Sequence, residues 1–130
     1  MVVDMDIKNL ITGSDDRLRI VQELVPGKEI TLAHVIASPD PIMYQKLGLN
    51  PELDFSGAAI GILTVSPAET AIIAADLSTK SANVDLSFVD RFSGTLITTG
   101  LIADVESGLK AVLEYCGNNL GFKVCKLSRT

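Results

Sequence analysis

The sequence predicts an α+β domain. Two segments carry apolar residues at helical spacing, short β-favouring runs lie between and around them, and turn residues delimit nearly every element. At 130 residues the chain has the length of one domain, enough to bury roughly two thirds of the surface its unfolded form exposes.

Composition narrows the classes. Apolar residues make up 47% of the chain but aromatics only 5%, with no tryptophan. The core must therefore be built from Ile, Val, Leu and many Ala, which suits close packing of helices on a sheet. The net charge of −5 with no basic run lacks the electrostatic footprint that nucleic acid or an anionic membrane surface requires, so neither is an expected partner. The longest apolar stretch, residues 57–65, is far short of the ~20 residues that span a bilayer. Residues 1–11 carry Asp4 and Asp6 and lack the basic start and apolar centre of a secretory signal. Cys116 and Cys125 have no metal or redox spacing and read as small core residues of a soluble cytosolic protein.

Along the chain, residues 1–18 are polar and rich in breakers and are expected to form a flexible tail. Arg19, Ile20, Val21, Gln22, Glu23, Leu24 and Val25 form a short β-favouring run stopped by Pro26 and Gly27. A second strand is expected at 29–37, a one- or two-turn helix at 42–47 closed by Gly48, and a loop at 50–56. Residues 58–65 read as a buried strand. Ser66, Pro67 and Glu69 then resemble a helix start, with Ser as cap, Pro at the first position and Glu three residues on. That helix is expected to run to about Ala82, with Ile72, Ile73 and Leu77 as apolar residues and a run of alanines for close approach. Strands at 85–89 and 96–99 flank a compact loop. A helix at 103–118 aligns Val105, Leu109, Val112, Leu113 and Cys116 in one stripe, and 122–127 reads as a last strand. From Ala58 onward the order is strand, helix, strand, strand, helix, strand, the βαββαβ plan of a ferredoxin-like domain.

Catalytic groupings do not emerge. The single histidine, His34, sits in an apolar strand and reads as structural rather than as a general base. No phosphate-cradling loop, nucleophile elbow or zinc spacing is present, so no catalytic residue, metal or cofactor is expected. Polar residues gather at two element ends: the loop Asp90, Arg91, Phe92, Ser93, Gly94, and the helix end at Lys80, Ser81 and Asn83. On the residues alone the first is a tight turn and the second is ordinary helix-end chemistry.

The strand 58–65, followed by Ala74, Ala75, Asp76 and then Lys80, Ser81, Ala82, Asn83, Val84, resembles the signature of bacterial microcompartment (BMC-domain) shell proteins. Leu32, Ala33, His34, Val35 and Ile36, with the short helix after them, resemble elements that lie C-terminal in the usual shell domain. Here they stand on the N-terminal side, as in the circularly permuted, hexameric branch of ethanolamine- and propanediol-utilising compartments. Val21, Gln22 and Glu23 through Lys28, Thr31 through His34, and Asp90 through Gly94 are similar to that branch as well. The likeness covers about 19–130.

The resemblance implies a non-enzymatic shell subunit, a homohexamer in a cytoplasmic microcompartment whose partners are itself, other shell proteins and encapsulated enzymes. It assigns Lys80 and Asn83 to the hexamer edge, and Asp90, Arg91, Phe92, Ser93 and Gly94 to the loop facing the central pore. Residues 19–25 become a strand added to the permuted domain at 29–130, closing sixfold into a small axial barrel that restricts the pore. The usual edge arginine is replaced by Ala37, Ser38 and Pro39. The competing expectation is a small ferredoxin-like regulatory oligomer that binds a metabolite through the same loop.

Overall fold

The computed structural model of the chain describes residues 27–48 and 58–130. The expected tail, the candidate strand at 19–25 and the 50–56 loop lie outside the described residues. In chain order the elements are β1 (Glu29–Ile36), α1 (Ile42–Lys46), β2 (Ala59–Ser66), α2 (Thr70–Ser81), β3 (Asp85–Asp90), β4 (Thr95–Gly100), α3 (Ile102–Asn119), β5 (Lys123–Val124) and β6 (Ser128–Arg129). They build one sheet in the order β3-β4-β2-β1, with β5 and β6 both on the outer edge of β1.

The α+β class and the βαββαβ element order hold from β2 to β5, and the fourth place in the sheet is filled as the permuted order implies. It is β1, not the C-terminal segment, that lies beside β2, in antiparallel register from Glu29↔Ser66 to Ile36↔Ile60. Residues 122–127 do not form one strand. Only Lys123 and Val124 pair there, with Glu29 and Ile30, and past residue 127 Ser128 and Arg129 pair with His34 and Val35, both pieces parallel to β1. The reason is length and pattern. β1 supplies eight residues that pair with β2 over nearly their whole length and bury Ile30, Ala33 and Val35, whereas the terminal segment meets only two short stretches of its outer edge.

Alternation divides the sheet into two faces. The rows Ala33–Leu63–Leu96 and Val35–Gly61–Thr98, with Ile30 beside Val65, are buried under the helices. The other face carries the row His34–Ile62–Ile97–Phe88, whose outer member Phe88 stays 47% exposed. Helix α3 buries Val105, Leu109, Val112 and Cys116, the expected stripe, with Leu113 packed at its margin. Helix α2 turns its small residues inward. Thr70, Ala71, Ala74, Ala75 and Ser78 are buried, as the expected close approach of the alanine run requires, while Ile72 and Ile73 face outward. Small side chains win this face because α2 and α3 cross closely. A Cβ on Gly108 of α3 would already stand 3.6 Å from the Cβ of Ser78.

The start of α2 also differs from expectation. Ser66 remains in the β ladder opposite Glu29 and caps nothing. The chain instead turns through 67–69 with the bonds Thr70 N–H to Pro67 O (3.0 Å) and Ala71 N–H to Ala68 O (3.0 Å), and the α-helix begins only at Thr70. Strand pairing holds Ser66 extended and so overrides the local capping pattern.

Two sites test this packing. A Cβ on Gly61 would lie 2.6 Å from Thr98 Oγ1 and 2.7 Å from Val105 Cγ1. Gly61→Ala is expected to lower the unfolding free energy by about 1–3 kcal/mol, the usual cost of overpacking. Among the described residues, Ser78 Oγ is buried without a hydrogen-bond partner. Ser78→Ala is expected to raise stability by about 1 kcal/mol, and both shifts are read from urea midpoints at unchanged slope.

Candidate functional site

The loop between β3 and β4 is organised by its first residue. Asp90 Oδ1 accepts the Phe92 N–H at 2.9 Å, its Oδ2 accepts the Ser93 hydroxyl at 2.8 Å, and its carbonyl accepts the Gly94 N–H at 2.9 Å. These donors, the Phe92 N–H foremost and then the Ser93 hydroxyl, hold the carboxyl below its ordinary range. Gly94 closes the turn at φ +74, and the volume a Cβ would need there is taken by the Val65 carbonyl and the Ala68 backbone. Its own carbonyl accepts the Val65 N–H at 2.9 Å, pinning the loop to the end of β2. With Asp90 turned inward, the tip presents Phe92, 80% exposed, under the Arg91 guanidinium 4.7 Å from the ring centroid.

At the other end of β3 lies the C-terminal turn of α2. Lys80 Nζ pairs with Asp76 Oδ2 at 2.9 Å, one turn earlier on the helix, and this contact raises the lysine pKa. Asn83 is exposed three residues on. The two candidate surfaces are thus separated by the length of β3, six residues or roughly 17 Å. The five loop residues are brought together by the structure, Lys80 and Asn83 share the α2–β3 junction, and the seven residues from Arg19 to Val25 lie outside the described residues.

His34 is held by hydroxyls on both ring nitrogens, Ser128 Oγ at 2.6 Å from Nδ1 and Thr130 Oγ1 at 2.9 Å from Nε2. Neither partner is a carboxylate or a nucleophile's base, so the ring does positional work, fastening β6 to β1. Backbone bonds reinforce it, with Thr130 N–H to Val35 O and Ala37 N–H to Thr130 O, both 2.9 Å. Ala37, the first residue past β1, is therefore tied to the C-terminal strap. Cys116 is buried, which pushes its thiol pKa up, and Cys125 is also a free thiol. Sequence reasoning did not identify the His34 fastening, which joins residues 94 and 96 positions apart. The Asp76–Lys80 pair was visible as an i, i+4 spacing.

The loop is testable by pH. A carboxyl whose pKa is lowered in the folded state adds stability that is complete above its unfolded value, 3.8, and is lost as pH falls through the folded value. The melting temperature of Asp90→Ala should lie below that of the wild type at pH 6, and the gap should narrow by pH 3. A gap that stays constant with pH would assign it to backbone effects alone.

Comparison with known proteins places the fold in a family. The BMC domain matches residues 59–127. The chain is 50% identical over 112 residues to the bacterial microcompartment shell protein CutR of Streptococcus intermedius, covering 86% of this chain and 92% of the relative. It is 46% identical over 112 residues to the shell protein PduU of Salmonella typhimurium, covering 86% and 93%. Among solved structures, a CutR flat hexamer superposes with a TM-score of 0.74 at 43% identity, covering 95% of this chain and all of the other. A screw form of CutR superposes at 0.71 with 48% identity over 81% of this chain and all of the other. The chain belongs to the BMC-domain family of bacterial microcompartment shell proteins, which are structural subunits and not enzymes.

Proposed function

We propose that the chain is a homohexameric tile of a microcompartment shell in the bacterial cytoplasm, associating with its own copies, with other shell proteins and with enzymes on the enclosed side. The observation that carries this reading is the superposition, over 95% of its length, on a relative solved as a flat hexamer. The surface agrees physically. Phe92 is 80%, Leu101 68% and Ile72 52% exposed, apolar side chains that a contact with another copy would remove from water. A rotationally closed ring covers such a surface by repeating one heterologous contact.

In this tile the loop from Asp90 to Gly94 faces the central axis, and Lys80 with Asn83 lies on the outer edge. Their separation along β3 suits that division. The segment 19–25 is assigned to an axial strand. Gly27, in the left-handed region (φ +85), stands two residues before β1. An isolated strand of that length is marginal, whereas six symmetry-related copies closed on themselves leave no free edge. The pore is then narrowed by the barrel and bordered by Arg91 and Phe92.

Native mass spectrometry at micromolar concentration should give a six-chain ring, and a monomer or dimer would overturn the tile. Lys80→Ala should retain rings and lose extended sheets or tubes in negative-stain images. Sheets indistinguishable from wild type would remove Lys80 from the edge.

A further inference from the structure

The two ion pairs among the described residues stand at opposite corners of the same end of the subunit. The register row Asp85–Thr99–Ile60–Ile36 crosses the sheet at the end away from the Asp90 loop. Asp76 and Lys80 lie over its β3 side, on the last turns of α2, the helix that packs on β3. Arg129 lies on its β6 side, paired with Val35 one residue before Ile36, and reaches Glu106 in the second turn of α3. Strands β3 and β6 are four strand spacings apart, roughly 19 Å. We propose that Arg129 is an edge residue whose guanidinium binds Asp76 of a second copy in the adjoining ring. The inference rests on the tile reading, in which this end of the sheet is the outer edge.

Arg129 is held in place without being used up. Thr130 N–H to Val35 O and Ala37 N–H to Thr130 O, both 2.9 Å, fix the strap's backbone, and the hydroxyls on the His34 ring fix its neighbours. The side chain is then engaged through one nitrogen, Nη1, at 3.2 Å from Glu106 Oε2, and has no other partner among the described residues. A guanidinium carries five N–H donors, and with 58% of this side chain exposed the remaining ones face solvent. A side chain already ordered by its own subunit loses little freedom when an acceptor arrives.

Asp76 is open in the same way. Its Oδ2 accepts Lys80 Nζ at 2.9 Å, its Oδ1 has no partner among the described residues, and the side chain is 55% exposed. Two identical edges laid side by side meet through a two-fold axis, which sets the β6 corner of one against the β3 corner of the other. Both ion pairs lie on the helix-covered side of the sheet, so the charges meet in the alternating order Glu106, Arg129, Asp76, Lys80. Neither intramolecular pair has to break, and a network of charges contributes more than isolated exposed pairs do.

The test compares lateral association of full-chain variants by sedimentation, with native mass spectrometry reporting the ring. Arg129→Ala and Asp76→Asn should each keep the six-chain ring and raise the concentration at which rings associate about tenfold. The double variant should do no worse than either single, because each removes the same contact. Within one chain the two residues stand too far apart to couple, so this non-additivity reports a contact between chains. Glu106→Gln, which breaks the intramolecular pair and leaves the guanidinium, should associate within about twofold of wild type. Arg129→Ala associating like wild type, additive losses in the double variant, or Glu106→Gln losing as much as Arg129→Ala would overturn the contact and leave the ring standing. Wild-type rings that never associate, or loss of the ring itself in Arg129→Ala, would overturn it too. A wild type without rings would overturn the tile reading as well.

Discussion

The sheet depends on the antiparallel pairing of β1 with β2. Both short terminal strands pair only with β1, so the C-terminal strap has no place on the sheet unless β1 is docked first. The pairing is fixed by pattern, because Ala33 and Val35 reach the helix-covered face only in the register that sets them opposite Leu63 and Gly61. A slip of one residue would turn both outward. A register shift between Ile30 and Leu32 falls at Thr31, whose hydroxyl lies 2.6 Å from that of Thr64 and 3.3 Å from the Thr64 carbonyl. The irregular point is thus bonded to the strand it bends against.

Above that sheet the helices sit close because small residues let them. Gly61 leaves space that Val105 and Leu109 of α3 fill, and the alanine face of α2 meets α3 at Gly108 and Ser78. Close approach has a consequence for the exterior. A helix that buries its alanines must turn Ile72 and Ile73 outward, so apolar surface excluded from the monomer's core is left for contacts with other molecules. Packing of the single chain and its tendency to associate therefore have one cause.

Much of this was legible in the sequence, and what was not has a physical reason. The stripe of α3 and the β3–β4 hairpin follow from periodicity and turn residues that act locally, and the structure extends them by a residue or two. The family was legible from motifs spread along the chain. The cap at Ser66 failed because a strand bond opposite Glu29 competes with a helix cap, and local pattern does not weigh the two. The close approach of α2 through its alanines was legible, while the outward turn of Ile72 and Ile73 was not, because hydrophobicity alone does not say which face of the helix meets α3. The Asp90 bonds lie within a five-residue loop whose position was read correctly, while the residue that organises it was hidden in the choice of rotamer. The fastening of His34 by Ser128 and Thr130 depends on tertiary pairing alone.

The same geometry decides what the loop can offer a solute. Both Asp90 oxygens are occupied by groups of the loop itself, and Gly94 is locked against the end of β2. The carboxylate is consequently a structural anion, and the outward groups are a guanidinium and the ring beneath it. In the proposed ring, six copies place a cationic and aromatic border at the axis, held by a turn that strand β2 does not allow to swing. Selectivity of such a border would come from fixed chemistry rather than from movement of the loop. Because β3 joins this loop rigidly to the junction that carries Lys80, a rotation of one subunit against the next displaces border and edge together. The flat and screw forms in which CutR has been solved would then differ, for a tile of this kind, in the diameter of the border as well as in the angle of the edge.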